Sequence, residues 1–237
     1  MKKTSNMLMA ILVFALTIFV FNGTSILLSY VSVFFGVLLR GESGVSDTYY
    51  YLLGHQNLYS FLIYFTAFVL FALWYYFAVI QPRGLKPFLK ARTEGLSPAC
   101  FGWILLLAFA VQHLTSLVFT LIDMFSPAAV ENYSQMVETS GLTEYSFVWF
   151  LSTLILPPLT EEIIFRGLLL GYLKKTGIPF LAANLIQAVC FGIYHQNLAQ
   201  GIYTALLGFL LGYLAQRYGT LIAPMFLHFL YNLFGTV

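Results

Sequence analysis

Residues 146–175 read SFVWFLSTLILPPLTEEIIFRGLLLGYLKK, an apolar stretch that carries two adjacent carboxylates, Glu161 and Glu162, near its middle. The stretch is longer than the roughly 20 apolar residues that span a bilayer as a helix. A charged side chain at membrane depth costs about 2.5–3.5 kcal/mol or more, so a chain that keeps one there usually has a use for it. The stretch therefore predicts a membrane-spanning helix with a polar site inside it.

The whole chain has the composition of a helical membrane protein. Of its 237 residues, 60% are hydrophobic and 8% are charged, whereas soluble domains carry about 25% charged residues. We expect an all-α, polytopic transmembrane bundle of about seven to eight helices, embedded in the lipid bilayer of the cell membrane. The formal net charge of +2 gives no indication of nucleic-acid binding. Cys100 and Cys190 lie in apolar segments, and we interpret them as buried thiols rather than as a disulfide.

The charges between the apolar segments separate into two groups. The segments are 7–39, 57–80, 97–122, 145–173, 178–195, 199–216 and 220–236. One side of the resulting arrangement carries Lys2, Lys3, Arg83, Lys86, Lys90, Arg92, Lys174, Lys175 and Arg217. The other side carries Arg40, Glu42, Asp47, Asp123, Glu131, Glu138 and Glu144. By the positive-inside rule the basic side is cytoplasmic. We therefore predict seven spans, a cytoplasmic N-terminus, and a site that opens toward the cytoplasm or the inner leaflet.

Two places could raise the number of spans to eight. The segment 7–39 is about 50 Å long as one helix, and the Asn-Gly-Thr sequence at 22–24 could break it. Pro157-Pro158 lacks both amide donors and must kink or interrupt its helix, for which we favour a kink or a partial re-entrant turn. The first segment resembles a signal-peptide core, but no A-x-A-like cleavage site follows, so we expect a retained helix.

Helical geometry divides the polar groups of the central segment. Residues i and i+4 lie on nearly the same face of a helix, whereas neighbours are about 100° apart. Glu162 and Arg166 can therefore form an ion pair, and Glu161 points elsewhere. Because a buried arginine must be neutralised, Glu162 is its natural partner and Glu161 is left for chemistry. The alternative is that all three groups form a structural charge cluster that pins helices together.

Two later segments contribute three more polar groups. His195 closes the segment FLAANLIQAVCFGIYH, and His228 forms an i, i+4 pair with Asn232 in HFLYN. A lone histidine on an apolar helix is more often a hydrogen-bonded core residue than a functional one. However, counting about 1.5 Å per residue from the segment ends puts all three groups at middle depth, together with the glutamates. We therefore predict that they converge in one layer.

A free carboxylate, histidines and an amide can together activate water. The carboxylate accepts the proton, a histidine helps to hold the water, and a histidine and an asparagine can stabilise an oxyanion. The same residues would suit a proton or ion relay in a transporting bundle. Glu161, His195 and His228 could also hold Zn²⁺ with one open position, although we favour a mechanism without a metal cofactor.

Small residues recur at helical spacing beside these groups. Gly167-LLL-Gly171 and Gly208-FLL-Gly212 are G-x-x-x-G patterns, which allow helix backbones to approach closely. We predict that they pack helices around the site, and a homodimer face is the alternative. The more polar stretch 126–144 is expected to be an external loop with a short surface helix.

Three short sequence motifs match those of one protein family, and they occur in the same order as in that family. EEIIFR (161–166) fits E-E-x-x-x-R, FGIYH (191–195) fits F-x-x-x-H, and HFLYN (228–232) fits H-x-x-x-N. The sequence thus resembles the CPBP intramembrane endopeptidases, which include the CAAX prenyl proteases and bacterial bacteriocin-processing or immunity (Abi) proteins. The resemblance spans roughly 145–236. We accordingly divide one integral domain into N-terminal helices with an external loop (1–140) and a catalytic core (141–237).

The resemblance implies hydrolysis of a membrane-associated peptide or protein, lipidated or membrane-inserted. Glu161 and His195 would activate the water. His228 and Asn232 would form the oxyanion site, and Arg166 with its glutamate partner would order the first motif's helix. Some members of the family act as binding or immunity proteins with little proteolysis. A non-catalytic binding protein therefore remains an alternative, beside the transporting bundle.

Overall fold

The computed structural model describes residues 2–41, 43–93, 96–140 and 145–236, and the side chains of 90–93 lie outside that description. Within these ranges the chain forms ten helices and no strand, which confirms the predicted all-helical class. The helices are α1 (Lys2–Arg40), α2 (Ser43–Leu53), α3 (Gln56–Arg83), α4 (Leu85–Thr93), α5 (Pro98–Phe125), α6 (Pro127–Thr139), α7 (Phe147–Lys175), α8 (Phe180–Tyr194), α9 (Leu198–Tyr218) and α10 (Ile222–Gly235).

Five of these helices, α1, α3, α5, α7 and α9, are long and apolar enough to cross a membrane. The apolar helices α8 and α10 have 15 and 14 residues, which gives about 20–23 Å against a hydrocarbon core of about 30 Å. The seven apolar helices coincide with the seven predicted segments. α1 continues through 22–24 without a break. Cys100 and Cys190 are free, as expected.

The two prolines of α7 change its hydrogen-bond pattern without ending the helix. A proline at position i removes the N–H that would bond to the carbonyl of residue i−4. The helix passes this point by widening to the π pattern over Phe150–Ile155, and it widens again over Glu162–Leu169. The predicted interruption is therefore a local change to π-helical hydrogen bonding, and α7 makes no re-entrant turn.

α7 is the central helix of the bundle. In its most apolar window 61% of the residues are buried, against 11% in α1 and 22% in α5. It packs on α1, α3, α8, α9 and α10. Its charged side chains therefore face other helices rather than lipid, which is the arrangement that a membrane protein needs around ionisable groups.

One end of the bundle gathers the basic residues. Asn6 Nδ2 donates to the Lys175 carbonyl oxygen at 3.3 Å, and Lys174 Nζ donates to Gln216 Oε1. These contacts join the start of α1 to the ends of α7 and α9. We call this the basic end; its described side chains include Lys2, Lys3, Arg83, Lys86, Lys174, Lys175 and Arg217. Four charges used in the topology prediction lie outside the described side chains: Glu42, Lys90, Arg92 and Glu144.

The opposite end holds α6 and the termini of α7 and α10. Tyr145 OH donates to the Thr236 carbonyl oxygen at 2.8 Å, just before α7 begins and just after α10 ends. The predicted short helix within 126–144 is present as α6, and it packs against α5 and α9. Residue 141, where the predicted core region begins, lies outside the described residues.

Glycines let α9 approach α8 closely. A Cβ added at Gly208 would lie 2.9 Å from the Phe191 ring, and one added at Gly212 would collide with Asn184 Oδ1. Larger residues would separate the two helices. The predicted close packing is therefore confirmed for this pattern, and its glycine face is used within the chain. The homodimer remains a prediction.

Candidate active site

Glu162 and Arg166 form the ion pair that their spacing predicts. Arg166 Nη1 lies 2.8 Å from Glu162 Oε1, and both side chains are fully buried. Arg166 Nη2 also donates to the Gly208 carbonyl oxygen at 3.1 Å, which ties α7 to α9. The guanidinium stacks over the Phe191 ring, 4.4 Å from its centroid. These contacts join helices, so the Glu162–Arg166 pair has a structural role. The charge-cluster alternative predicts the same role for this pair.

Glu161 points away from this ion pair and has different neighbours. Tyr64 OH donates to its Oε1 at 2.8 Å, and Tyr194 OH donates to Tyr64 OH at 3.3 Å. Sequence reasoning missed both tyrosines. Tyr64 lies on α3, in a region where no motif was found. Tyr194 lies inside the FGIYH motif next to His195. Its position in that motif could have indicated that it lies near the site.

His228 connects the two glutamates. Its Nδ1 lies 2.9 Å from Glu162 Oε1, and its Nε2 lies 3.6 Å from Glu161 Oε2. Because an ionised carboxylate only accepts hydrogen bonds, Nδ1 is the donor to Glu162. The buried cluster therefore contains two carboxylates, one guanidinium and one imidazole in direct contact.

His195 follows α8 and is half-buried. Its Nδ1 lies 2.8 Å from the Phe191 carbonyl oxygen, which can only accept, so Nδ1 carries the hydrogen. In a neutral ring this arrangement leaves Nε2 unprotonated and able to accept a hydrogen bond. The ring packs edge-on against Phe191 and Tyr194. Its orientation is therefore set by its own helix.

A cavity of about 620 Å³, which we call the site cavity, joins four of the six predicted site residues. Glu161, His195, His228 and Asn232 line it. Glu162 and Arg166 are absent from its described lining and lie behind Glu161. The two adjacent glutamates thus occupy different environments, one at a cavity wall and one in an ion pair.

The site cavity extends toward the end of the bundle opposite the basic end. Its walls include Gln112 of α5 and Tyr133, Met136 and Val137 of α6. The expectation that the site opens toward the basic side is therefore wrong. The physical reason is that the Arg166 ion pair and the α8–α9 packing close the site cavity on the basic side of Glu161, while α6 forms a wall on the other side.

Asn232 stabilises the proline-containing turn of α7. Its Nδ2 donates to the Thr153 carbonyl oxygen at 3.1 Å. In an α-helix that carbonyl would accept from residue 157, and in a π-helix from residue 158, but both are prolines without an N–H. The asparagine amide replaces the missing backbone donor. Asn232 therefore joins α10 to the segment of α7 that leads to Glu161.

This contact predicts a compensating pair of substitutions. Asn232→Ala should lower the free energy of unfolding by about 1–3 kcal/mol, because the Thr153 carbonyl loses its donor. Pro157→Ala restores a backbone N–H, so Asn232→Ala/Pro157→Ala should regain most of that loss. Thermal unfolding in detergent measures the effect, with Pro224→Ala at the start of α10 as the control that should not rescue. Equal stability of the single and double variants would contradict the assignment.

The predicted zinc alternative finds little support in this geometry. Within the described residues, no three histidine, cysteine, aspartate or glutamate side chains are grouped closely enough to hold a metal ion. Glu161, His195 and His228 line one cavity, and the engaged Nδ1 atoms of the two histidines leave Nε2 of each ring as the nitrogen that could face a ligand. We derive no step through a metal. The metal-free mechanism itself stays a prediction.

The fold and site define a helical membrane protein with a buried Glu/His/Arg cluster, and comparisons with known proteins show what the C-terminal part of the chain resembles. Residues 143–234 match the family model "Type II CAAX prenyl endopeptidase Rce1-like". This match contains all three motifs and confirms the resemblance to the CPBP family. Over 84 residues the chain is 38% identical to "Putative membrane peptidase YdiL" of Bacillus subtilis (strain 168). The alignment covers 35% of this chain and 34% of that protein. No solved structure matches the chain.

Proposed function

We propose that this protein is an intramembrane endopeptidase that hydrolyses a peptide bond in a membrane-associated peptide or protein. The observation that supports this most strongly is the separation of the two glutamates. Glu161 lines a cavity together with two histidines, whereas Glu162 is held by Arg166. A carboxylate that faces a cavity and is not held in an ion pair by an arginine is suited to accept a proton from water.

In the proposed reaction a water molecule lies between Glu161 and His195 Nε2. Glu161 takes one proton from the water, and the resulting hydroxide attacks the carbonyl carbon of the scissile bond. The tetrahedral intermediate then collapses, the C–N bond breaks, and Glu161 returns the proton to the leaving amine. Tyr64 holds Oε1 of Glu161, so Oε2, which lies 3.6 Å from His228 Nε2, is the oxygen that would take the proton.

The negative charge on the carbonyl oxygen requires donors in the same cavity. His228 in its imidazolium form would donate from Nε2, since Nδ1 is directed to Glu162. Asn232 uses one Nδ2 hydrogen on Thr153 and has a second for the oxyanion. Fixed donors of this kind typically contribute about 2.7–4 kcal/mol each to transition-state stabilisation.

Substrate recognition in this proposal comes from the walls of the site cavity. Tyr203 and Tyr231 contribute aromatic surface, and Gln112 contributes an amide whose Oε1 is buried without a hydrogen-bond partner in the described structure. Such a wall suits a peptide backbone with apolar side chains. A membrane-inserted or lipidated substrate would reach it from within the bilayer.

We further propose seven membrane spans, with the N-terminus and the basic end in the cytoplasm of the cell. Reporter fusions at residues 88 and 218 should then be cytoplasmic, and a fusion at residue 135 in α6 should be external, because basic loops are retained inside. The site cavity would then face the outer half of the bilayer. An external reporter at residue 88 or 218 would overturn this orientation.

The metal-free mechanism makes a separate prediction. Protein washed with a chelator should retain its turnover and contain far less than one zinc per chain by elemental analysis. The physical reason is that, among the described residues, no three histidine, cysteine, aspartate or glutamate side chains are grouped closely enough to hold a metal ion. One stoichiometric zinc whose removal abolishes turnover and whose return restores it would contradict this.

Peptide turnover in detergent distinguishes the proposed endopeptidase from the other function classes. A protease needs no ion gradient, so purified protein should cleave its substrate in micelles and should lose that activity in Glu161→Gln. Gradient-dependent flux in liposomes without peptide cleavage would instead indicate a transporting bundle. A cellular phenotype that persists in Glu161→Gln would indicate a binding or immunity protein.

A further inference from the structure

A second cavity lies at the basic end of the bundle, apart from the site cavity. Its volume is about 520 Å³, and we call it the basic cavity. Its lining residues come from the ends of α3 and α7 and from the turn between α9 and α10. Arg166 contributes to this lining, whereas Glu161 contributes to the site cavity. The buried Glu162–Arg166 pair therefore lies between the two spaces.

The wall of the basic cavity is strongly cationic. Arg83, Lys174, Lys175 and Arg166 line it, and none of the described lining residues is aspartate or glutamate. Lys174 shares a hydrogen bond with Gln216, a neutral partner that also lines the cavity. Arg83 and Lys175 therefore line the cavity with no carboxylate among its described lining residues, and Lys174 adds a further cationic side chain. A cavity of this kind attracts an anion.

Arg166 adds an observation from inside the bundle. Its Nη1 and Nη2 are used by Glu162 and by the Gly208 carbonyl, but its Nε is buried and has no hydrogen-bond partner in the described structure. A buried donor without a partner destabilises the folded state. Arg166 is 4% exposed and lines the basic cavity, so an acceptor bound there would lie close to it.

The other side chains of the basic cavity are apolar or aromatic. Tyr75 and Tyr172 form part of the wall, together with Val79 and Leu221. A Cβ added at Gly171 would meet nothing within 4 Å, so the α7 backbone is uncovered at that position. The cavity thus combines an apolar interior with a basic rim, and it lies where three membrane-length helices end.

We propose that the basic cavity binds the phosphate group of an anionic phospholipid from the surrounding bilayer. The lysine and arginine side chains at the rim would donate to the phosphate oxygens, as charge-assisted hydrogen bonds to phosphate require. The glycerol and the first acyl carbons would contact the tyrosines and aliphatic side chains. The helix ends put this site at headgroup depth, where basic pockets between helices take up acidic lipid. The bound lipid would link α3 to α7 and would stabilise the folded bundle.

Lipid binding by the full-length protein in detergent tests this proposal. Native mass spectrometry with phosphatidylglycerol should detect one tightly bound molecule per chain, and phosphatidylcholine should bind about tenfold more weakly or less because its headgroup has no net charge. The triple variant Arg83→Gln/Lys174→Gln/Lys175→Gln should weaken phosphatidylglycerol binding by about tenfold or more. Lys2→Gln/Lys86→Gln/Arg217→Gln removes as many charges from the same end outside the cavity. It should bind like the unaltered protein.

Two further experiments test whether the lipid binds in the basic cavity and whether the ligand is a lipid rather than free phosphate. Gly171→Leu fills the basic cavity without changing charge and should also weaken lipid binding, whereas Gly102→Leu, at an equally open glycine of α5, should not. Inorganic phosphate at millimolar concentration should not displace the lipid. Equal binding by the two triple variants, or by Gly171→Leu and Gly102→Leu, would overturn the site. Full displacement by inorganic phosphate would overturn the lipid as its ligand.

Discussion

Glu161→Gln is expected to abolish peptide hydrolysis while the protein stays folded. Glutamine keeps the shape of glutamate and can still accept a hydrogen bond from Tyr64 through its amide oxygen, but it cannot accept the proton of the attacking water. General-base catalysis typically contributes about 10²–10⁴-fold, so turnover should fall by at least that factor. Initial rates on a validated substrate and the melting temperature in detergent, measured on the same preparation, separate chemistry from folding.

The neighbouring glutamate supplies a matched control. Glu162→Gln is the same chemical change one residue later, but it removes the partner of Arg166 and of His228 Nδ1. We expect it to lower the melting temperature and the yield of folded protein, because a buried guanidinium loses its counter-charge. Normal turnover in Glu161→Gln, or the same stability loss in both variants, would show that the division between the two glutamates is wrong.

Arg166→Ala is expected to produce the largest loss of stability. The substitution leaves Glu162 charged and buried without its cation, and the Gly208 carbonyl loses a donor. Breaking a buried pair in this way costs about 3–5 kcal/mol, a large part of the total stability of a typical domain. The folded fraction after extraction and the denaturation midpoint in detergent measure the effect.

The control for this prediction is Arg217→Ala at the basic end, where the arginine stacks on Tyr218. The side chain there is exposed, so its removal should change the midpoint little. Arg166→Lys gives a second comparison, because lysine keeps the charge but lacks the planar fork that reaches two partners. Intermediate stability is expected for it. Wild-type stability of Arg166→Ala would contradict the role assigned to the ion pair.

Much of the site can be predicted from local sequence because helical spacing is a local property. The i, i+4 relation between Glu162 and Arg166 requires only that 146–175 be helical, and the ion pair follows. Counting residues from the ends of their helices placed His195 and His228 at the same depth in the membrane as the two glutamates. The family resemblance then supplied the order of the motifs, and the match over 143–234 agrees with it.

The remaining features depend on contacts between distant parts of the chain. Tyr64 lies 97 residues before Glu161, and nothing in the spacing of α3 distinguishes this tyrosine from its other aromatic residues. The direction of the site cavity depends on how α6 packs, which loop charges do not report. The Asn232–Thr153 contact spans 79 residues, although the two prolines already indicated a carbonyl in need of a donor.

The assignment of Glu161 as the general base of a peptidase is tested by comparing protein termini in cells that differ only at residue 161. Cells that carry the unaltered protein and cells that carry Glu161→Gln at equal abundance are analysed for peptides that end at new positions. At least one membrane-associated protein should have a new terminus that is present with Glu161 and absent with glutamine. The purified protein should then make the same cut in detergent. Identical termini and identical phenotypes in the two strains would contradict a peptidase function and favour a binding function.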